Sequence, residues 1–528
     1  MKAGLLEKID DALNPIVVKE LRQGVQSRFV VAVLLLFLLL QLVFIGIFLV
    51  IWSIGGQLES TEFQAGREVF SVLQGILLAT CMVFIPAYTG MRLGAERSDV
   101  HVDLFFITTL RPRAIIAGKF AAALMLAILI FSACMPFMAF TYFLRGIDLI
   151  SIFFVIGFDF LVVTVTVMMA IFLAVIPANR ILKALLGMIG LLIGLFTFGF
   201  ALSGTVEFMM VGVASMLESR DFWYGCLTVV LWSIGVIGLM YTWSVGLLSP
   251  PSANRTLPMR LWMTLLWLAS GLILTYFSIR LEHDILLGVW LFSVCILLSL
   301  CLLISCNERE RWAPRVARTI PKRWWLRPFA FLFYSGAAGG IIWACLLLAF
   351  TWLAYPRLEQ LIPATGRTRG PGGSDMLANI FQTMAIMFVY VYCYALTAIF
   401  LRNTIFRIQP VYTWVLWITL VALGSAIPFL LTFLLLQRGW NFAIHYTWLL
   451  TAPPAGMAVV SEWRMVTEHG TVFLFVLTWA GLVTLLNIPW FFKQIRAFRP
   501  FVPTKTQARE MLPDILAPTP MEATRTIP

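Results

Sequence analysis

One acid stands inside an otherwise uncharged apolar run. Asp159 lies in the stretch 152–176, which has no other ionisable group of formal charge. A charge at mid-bilayer costs about 2.5–3.5 kcal/mol on insertion scales, so such a residue must face protein or water. Two chemistries suit it: a substrate or proton contact in a translocation path, or a helix–helix hydrogen bond to Ser, Thr or Tyr. The four histidines, His101, His283, His445 and His469, are scattered and form no HExxH. His445 and His469 share a connector with Glu462 and Glu468. Those residue types would suit a metal ion or a proton relay, and they equally suit a solvated loop. The eight cysteines contain no CxxC and all fall in apolar runs, where they read as small buried hydrophobes. ATP chemistry needs a phosphate cradle of the form GxxxxGK[ST]. Gly118-Lys119 is followed by Phe120 and has Arg113 where the first glycine should stand, so no such cradle is present.

The elements that must position these residues follow from composition. The chain has 528 residues, 61% hydrophobic and 12% charged, with a mean hydropathy of +0.92. A soluble domain carries about 25% charged residues, so a soluble fold, a disordered chain and a disulfide-stapled secreted scaffold are all excluded. A helix needs roughly 20 apolar residues to cross the hydrocarbon core. Twelve runs qualify: 29–53, 69–89, 120–143, 152–176, 184–203, 223–247, 261–279, 285–306, 336–355, 376–401, 413–436 and 471–492. They are too long for barrel strands. The fold class expected is an all-α polytopic membrane protein with both termini on one side.

Charge placement orients it. Of the 38 Lys and Arg, 29 fall on the side of the termini and 9 on the other. The positive-inside rule makes the basic side cytoplasmic. The net charge of +12 is thereby explained by topology, and nucleic acid is not expected as a partner. The first run follows an amphipathic stretch and is too long for a cleaved signal, so it is read as a true span.

The loops suggest a 6+6 arrangement: 1–28 as an interfacial segment, 29–247 and 248–492 as two six-span halves, and 493–528 as a disordered tail. The long basic loop 90–119 has a counterpart at 307–335. The connectors 204–222 and 437–470 are each expected to hold short interfacial or re-entrant helices. Segment 356–375 is Pro/Gly-rich and reads as a flexible outer loop.

Two segments on the basic side have local structure of their own. In 14–23 (NPIVVKELRQ), Asn14 suits an N-cap and Pro15 the first helical position. Val17, Leu21 and Val25 form one apolar stripe, with Lys19, Glu20, Arg22 and Gln26 on the other side. Such a helix lies along the membrane surface as an interfacial anchor. In 94–119, Ser98 would cap a short amphipathic helix that Arg111-Pro112-Arg113 breaks, and a second helix starts near Ala114 and runs past Lys119 into the third span. That short helix either faces lipid or offers a contact to a cytoplasmic partner.

These segments carry a resemblance. The start NPxxxKELR (Asn14, Pro15, Lys19, Glu20, Leu21, Arg22) and the loop ER…LDLLxxTxLxPRxIxxGK resemble the permease subunits of ABC-2-type transporters. The loop residues that match are Glu96, Arg97, Asp103, Leu104, Thr108, Leu110, Pro112, Arg113, Gly118 and Lys119, with Arg111 beside them. The resemblance covers roughly the first half of the chain. It implies that 1–28 holds an elbow helix and that 90–119 is a coupling loop docking on a separate ATPase subunit, which would hold ATP and Mg. It also implies a permease subunit, by resemblance an exporter, in the cell (inner) membrane, with no catalysis and no cofactor of its own. The sequence departs in having His101-Val102 before the leucine run and twelve spans where six are usual. A 6+6 chain would be both halves of a permease pair in one polypeptide, or a six-span permease with an appendage that still pairs with a second permease chain. Loop 307–335 stands where a second coupling loop would be, and a snorkelling anchor fits it as well. A secondary transporter also has 6+6 topology, but Asp159 has no counterpart in the second half. A non-transporting scaffold has the same composition.

Overall fold

The computed structural model describes residues 15–54, 65–96, 111–144, 146–177, 180–250, 252–363, 376–436, 449–461 and 466–500. Among these the regular structure is helical throughout. Helix α1 (Pro15–Val25) precedes six long helices: α2 (Arg28–Ile54), α3 (Ala65–Glu96), α4 (Pro112–Phe143), α5 (Leu149–Val175), α6 (Arg180–Val211) and, after the one-turn α7 (Val213–Met216), α8 (Arg220–Leu248). There follow α9 (Leu257–Leu281), α10 (Ile285–Cys306), the short α11 (Pro314–Thr319) and α12 (Arg327–Phe333), then α13 (Ala337–Gln360), α14 (Met376–Leu401), α15 (Thr413–Leu436), the short α16 (Pro453–Ser461) and α17 (Val466–Ala497). Twelve of them are long and apolar enough to cross a membrane. The protein is an all-α polytopic membrane protein, and each expected run lies on one of these helices.

The helices overrun the apolar runs that define them. Helix α3 extends past residue 89 to Glu96, and α4 begins at Pro112 rather than near Ala114. A span stops being apolar where it leaves hydrocarbon, but nothing there stops its hydrogen-bond ladder. Arg111 is extended (φ −72°, ψ 136°) and Pro112 occupies the first helical position, so the break expected from Arg111-Pro112 occurs where proline forces it. In connector 204–222, α6 runs on to Val211 and stops at Gly212, whose φ of +79° suits glycine, before α7. In connector 437–470 the described part holds α16.

By contacts the chain forms two units. One comprises Met1–Pro250, Arg255–Val294 and Leu353–Leu377; the other comprises Pro251–Asn254, Cys295–Trp352 and Ala378–Pro528. The first unit therefore takes in α9 beyond the expected division at 247/248. The reason is close packing of α8 on α9. The indole N–H of Trp262 donates to the Gly235 carbonyl at 3.0 Å, and a Cβ on Gly238 would collide with the Trp262 ring. Substituting Gly238→Ala is expected to cost about 1–3 kcal/mol by overpacking, read as a lower unfolding temperature of the detergent-solubilised chain.

The core of the first unit is built on α3 and α5, which pack more extensively than any other helix pair. Phe70, Leu73, Leu77 and Ile85 meet Val155, Val163, Val167 and Ile171 there, all fully buried. By contrast α6 leaves Leu191, Leu195, Phe196 and Phe200 largely exposed, as a lipid-facing helix does.

Candidate functional site

Helix α1 packs along α4. The face it buries carries Val17 and Gly24, about two turns apart, whereas Val25 is 57% exposed. The expected stripe is therefore corrected: Val25 turns outward, and Glu20, expected on the polar side, turns inward. Gly24 faces Leu126 of α4, and a Cβ there would lie in ordinary contact with it at 3.7 Å.

Glu20 meets two cations. Its Oε1 accepts from Lys119 Nζ at 2.7 Å, and its Oε2 lies 3.6 Å from Arg92 Nη1. The side chains of Lys119 and Glu20 are only 8% and 10% exposed. Arg92 also donates to the Tyr88 hydroxyl at 2.7 Å and to the Gln23 side chain. The junction thus ties α1 to the end of α3 and the start of α4, the two helices joined by 97–110. Two motifs found separately in the sequence, KELR and GK, close on one another through Glu20 and Lys119. Arg92, Tyr88 and Gln23 complete the junction; the sequence reading did not single them out, although Arg92 precedes Glu96 by one helical turn.

The other resemblance residues divide by exposure. Lys19, Arg22, Arg111 and Arg113 are exposed, and Gly118 is buried beside Lys119. The Tyr241 hydroxyl donates to the Arg113 carbonyl at 3.2 Å, which links α8 to the start of α4. Asn14 and the loop residues Arg97, Asp103, Leu104, Thr108 and Leu110 lie outside the described residues, as do Ser98 and its expected helix. Glu96 ends α3.

Asp159 is fully buried, half-way along α5. The Gln74 side-chain amide of α3 and the Thr205 hydroxyl of α6 both donate to its Oδ2, the latter at 3.2 Å. All three residues are fully buried. Asp159 Oδ1 and Gln74 Oε1 have no hydrogen-bond partner among the described residues. Both readings of Asp159 gain something: the helix–helix bond exists, and polar capacity is left over at membrane depth. A second interhelical contact of this kind joins Gln41 of α2 to Cys134 of α4 at 2.9 Å.

An open groove of about 700 Å³ lies in the same unit, between α3, α5 and α6. Its wall on α6 carries Gly187, Gly190 and Gly194, and Gly90 and Gly94 of α3 face them.

The second unit has its own buried charge. Arg402, 1% exposed, donates to Glu310, to the Thr413 hydroxyl at 2.7 Å and to the Cys306 carbonyl at 3.4 Å. Trp490 donates to the same Glu310 oxygen at 2.9 Å. Asn307 accepts the Trp414 N–H at 2.8 Å and Glu308 the Gly336 N–H at 2.6 Å. The start of loop 307–335 is thus pinned by its own acceptors, and its acids are structural. Glu310→Leu is expected to cost about 3 kcal/mol, the low end for stranding a buried charge, because Glu310 keeps some water contact. Glu310→Leu with Arg402→Met should recover most of that loss in the unfolding temperature.

Among the described residues no three His, Cys, Asp or Glu side chains converge as metal ligands. His445 and Glu462 lie outside the described residues, and so do the side chains of His469 and Glu468. No family model, no curated protein and no solved structure matches the chain.

Proposed function

From these elements, and from the motif resemblance in the first half of the chain, we propose that the protein is the membrane permease subunit of an ATP-driven transporter of the ABC-2 type. It would lie in the cell membrane, with its basic loops cytoplasmic, and act as an exporter. The observation that carries this reading is the Glu20–Lys119–Arg92 junction. A loop that receives force from a soluble motor must pass it on through helices that cannot slip at its two ends. The junction fastens both ends of 97–110, through α3 and α4, to a helix that lies across them. A push on the loop would then move α1, α3 and α4 as one body, and α3 carries it on to α5 through the core of the unit.

In this reading 90–119 docks on a separate ATPase subunit. ATP and Mg bind that subunit, since this chain has no phosphate loop of its own. Exposed Arg111 and Arg113 offer the docking charge beside the loop. Whether one chain supplies both permease halves or pairs with a second permease chain is a question of stoichiometry that the same preparation answers.

The test is purification of the full chain from its native membrane with any bound ATPase. Nucleotide hydrolysis should co-purify, and Arg111→Glu with Arg113→Glu should remove it while the permease stays folded. Purified chain that drives uptake from an ion gradient alone, with no ATPase present, would overturn the reading in favour of a secondary transporter. The buried Asp159–Gln74–Thr205 cluster is the feature that such a carrier would use.

A further inference from the structure

The groove between α3, α5 and α6 has a direction. At one end it is lined by Gly94 and Lys183, at the other by Ala79 and Phe198. From Lys183 to Phe198 along α6 is about 22 Å at about 1.5 Å per residue. One leaflet of hydrocarbon is about 15 Å deep, half of about 30 Å. The groove is thus as long as an acyl chain with its glycerol end attached. Its described lining is apolar except for Thr166 within and Lys183 at the mouth, and Lys183 is the one charged residue in it. The Asp159–Gln74–Thr205 cluster joins the same three helices about two turns beyond the deep end. The seam is therefore held shut on one side of the groove and stands open on the other.

The glycines explain why it stays open. A Cβ built on Gly94, Gly187 or Gly194 would meet no atom within 4 Å. At these three positions no atom of the described residues fills the space beside the glycine, whereas Gly190 between them lies close to Leu173. The open side adjoins the lipid-facing surface of α6, where Leu191 and Leu195 are largely exposed. A volume of about 700 Å³ falls within the range of about 300–1,000 Å³ that single bound ligands fill.

We propose that this groove binds one acyl chain of a glycerophospholipid from the leaflet on the Lys183 side, with Lys183 on the phosphate. The chain enters sideways from the bilayer and ends against Thr166 and Phe198. Charge selects the headgroup: a lone cation at the mouth of an apolar slot matches a phosphate carried on hydrocarbon. Charge asymmetry along the sequence puts Lys183 on the cytoplasmic side, which is also where anionic lipid lends a basic residue its largest effect. The inference is independent of the coupling proposal, because it needs no ATPase.

The experiment uses the full chain in phosphatidylcholine vesicles containing phosphatidylglycerol with a diazirine in one acyl chain. After irradiation, adducts should concentrate on residues 79–94 and 166–198. Gly187→Leu with Gly194→Leu places side chains in the slot at positions where a Cβ meets no atom within 4 Å, and should abolish those adducts while leaving adducts elsewhere intact. Gly199→Leu, on the same helix with open space around it but outside the groove, should leave them unchanged. Lys183→Glu should lower labelling about fivefold, the factor that about one basic residue contributes near an anionic surface. That variant touches no packed residue, so it decides the matter even if the leucine pair fails to fold. Adducts spread evenly over the exposed faces of α2, α6 and α15, or indifferent to Lys183→Glu, would overturn the proposal. So would disulfide-linked dimers formed through Gly187→Cys, where a Cβ meets no atom within 4 Å, in the same vesicles, which would show that a second copy fills the groove.

Discussion

Glu20→Lys is expected to abolish partner-dependent ATP hydrolysis and to release α1 from the bundle. Glu20 is the acid between Lys119 and Arg92, and with Lys119 it is nearly buried. Its loss takes the acid away from nearly buried Lys119 and removes one of the three partners of Arg92. Removing one member of a buried pair costs about 3–5 kcal/mol, and a third cation at the same place adds repulsion to that loss. Limited trypsin digestion is then expected to cut after Arg22, a site that docking of α1 is expected to protect in the parent chain. The swap Glu20→Lys with Lys119→Glu restores one favourable pair and sets the new carboxylate on α4. It should recover resistance to trypsin and a measurable part of the hydrolysis. If the swap behaves no better than the single variant, the pair is not what holds the elbow. If Glu20→Lys leaves hydrolysis at the parent level, the junction does not transmit force and the proposed function loses its support.

The cluster on Asp159 should behave in the opposite way with respect to stability. Hydrogen bonds between membrane helices average about 0.6 kcal/mol each in measured cycles. A buried charge-bearing carboxyl at mid-helix costs about 2.5–3.5 kcal/mol on insertion scales. Two such hydrogen bonds do not offset that, and the balance leaves a net cost of about 1–2 kcal/mol. Replacing the cluster by Asp159→Leu, Gln74→Leu and Thr205→Val is therefore expected to raise the unfolding temperature. The same variant should lose partner-dependent hydrolysis, because a group kept at a cost to the fold is kept for what it does. Asp159→Asn should fold like the parent and lose activity too. An Asp159→Asn chain with unchanged activity and assembly would reduce the residue to a helix–helix contact.

The twelve spans were legible because their signal is collective. Some twenty apolar residues in a row leave no other structure, and a polar error or two does not change that. Arg111-Pro112 was legible because proline acts on its own neighbour. The face of α1 was misread for a related reason. Periodicity marked Val25 as apolar and Glu20 as polar, but it cannot tell that a lysine and an arginine from two other helices await the acid. Gln74 with Thr205, and Glu310 with Arg402, were invisible on the same grounds. Their partners stand 85, 46 and 92 residues away in sequence, and each residue alone looks like an ordinary polar position. The inclusion of α9 in the first unit was also hidden, since Gly235 and Gly238 acquire meaning only beside Trp262 and Leu266.

The Glu20 junction also has a consequence for how the chain is made. Lys119 lies 99 residues after Glu20. At synthesis rates of about 5–20 residues per second, about 5–20 s pass before the lysine that closes the junction exists. During that interval Glu20 has at most Arg92, made 27 residues earlier, as its cation. The pair can then form only if α2 and α3 have both crossed, so that the start of α4 emerges on the face where Glu20 waits. A third span threaded the wrong way would leave Lys119 across the bilayer from its acid, and the error would show as an α1 that never docks. The ion pair that joins two motifs in the finished protein is thus, during biosynthesis, a check on the direction in which the first spans were inserted.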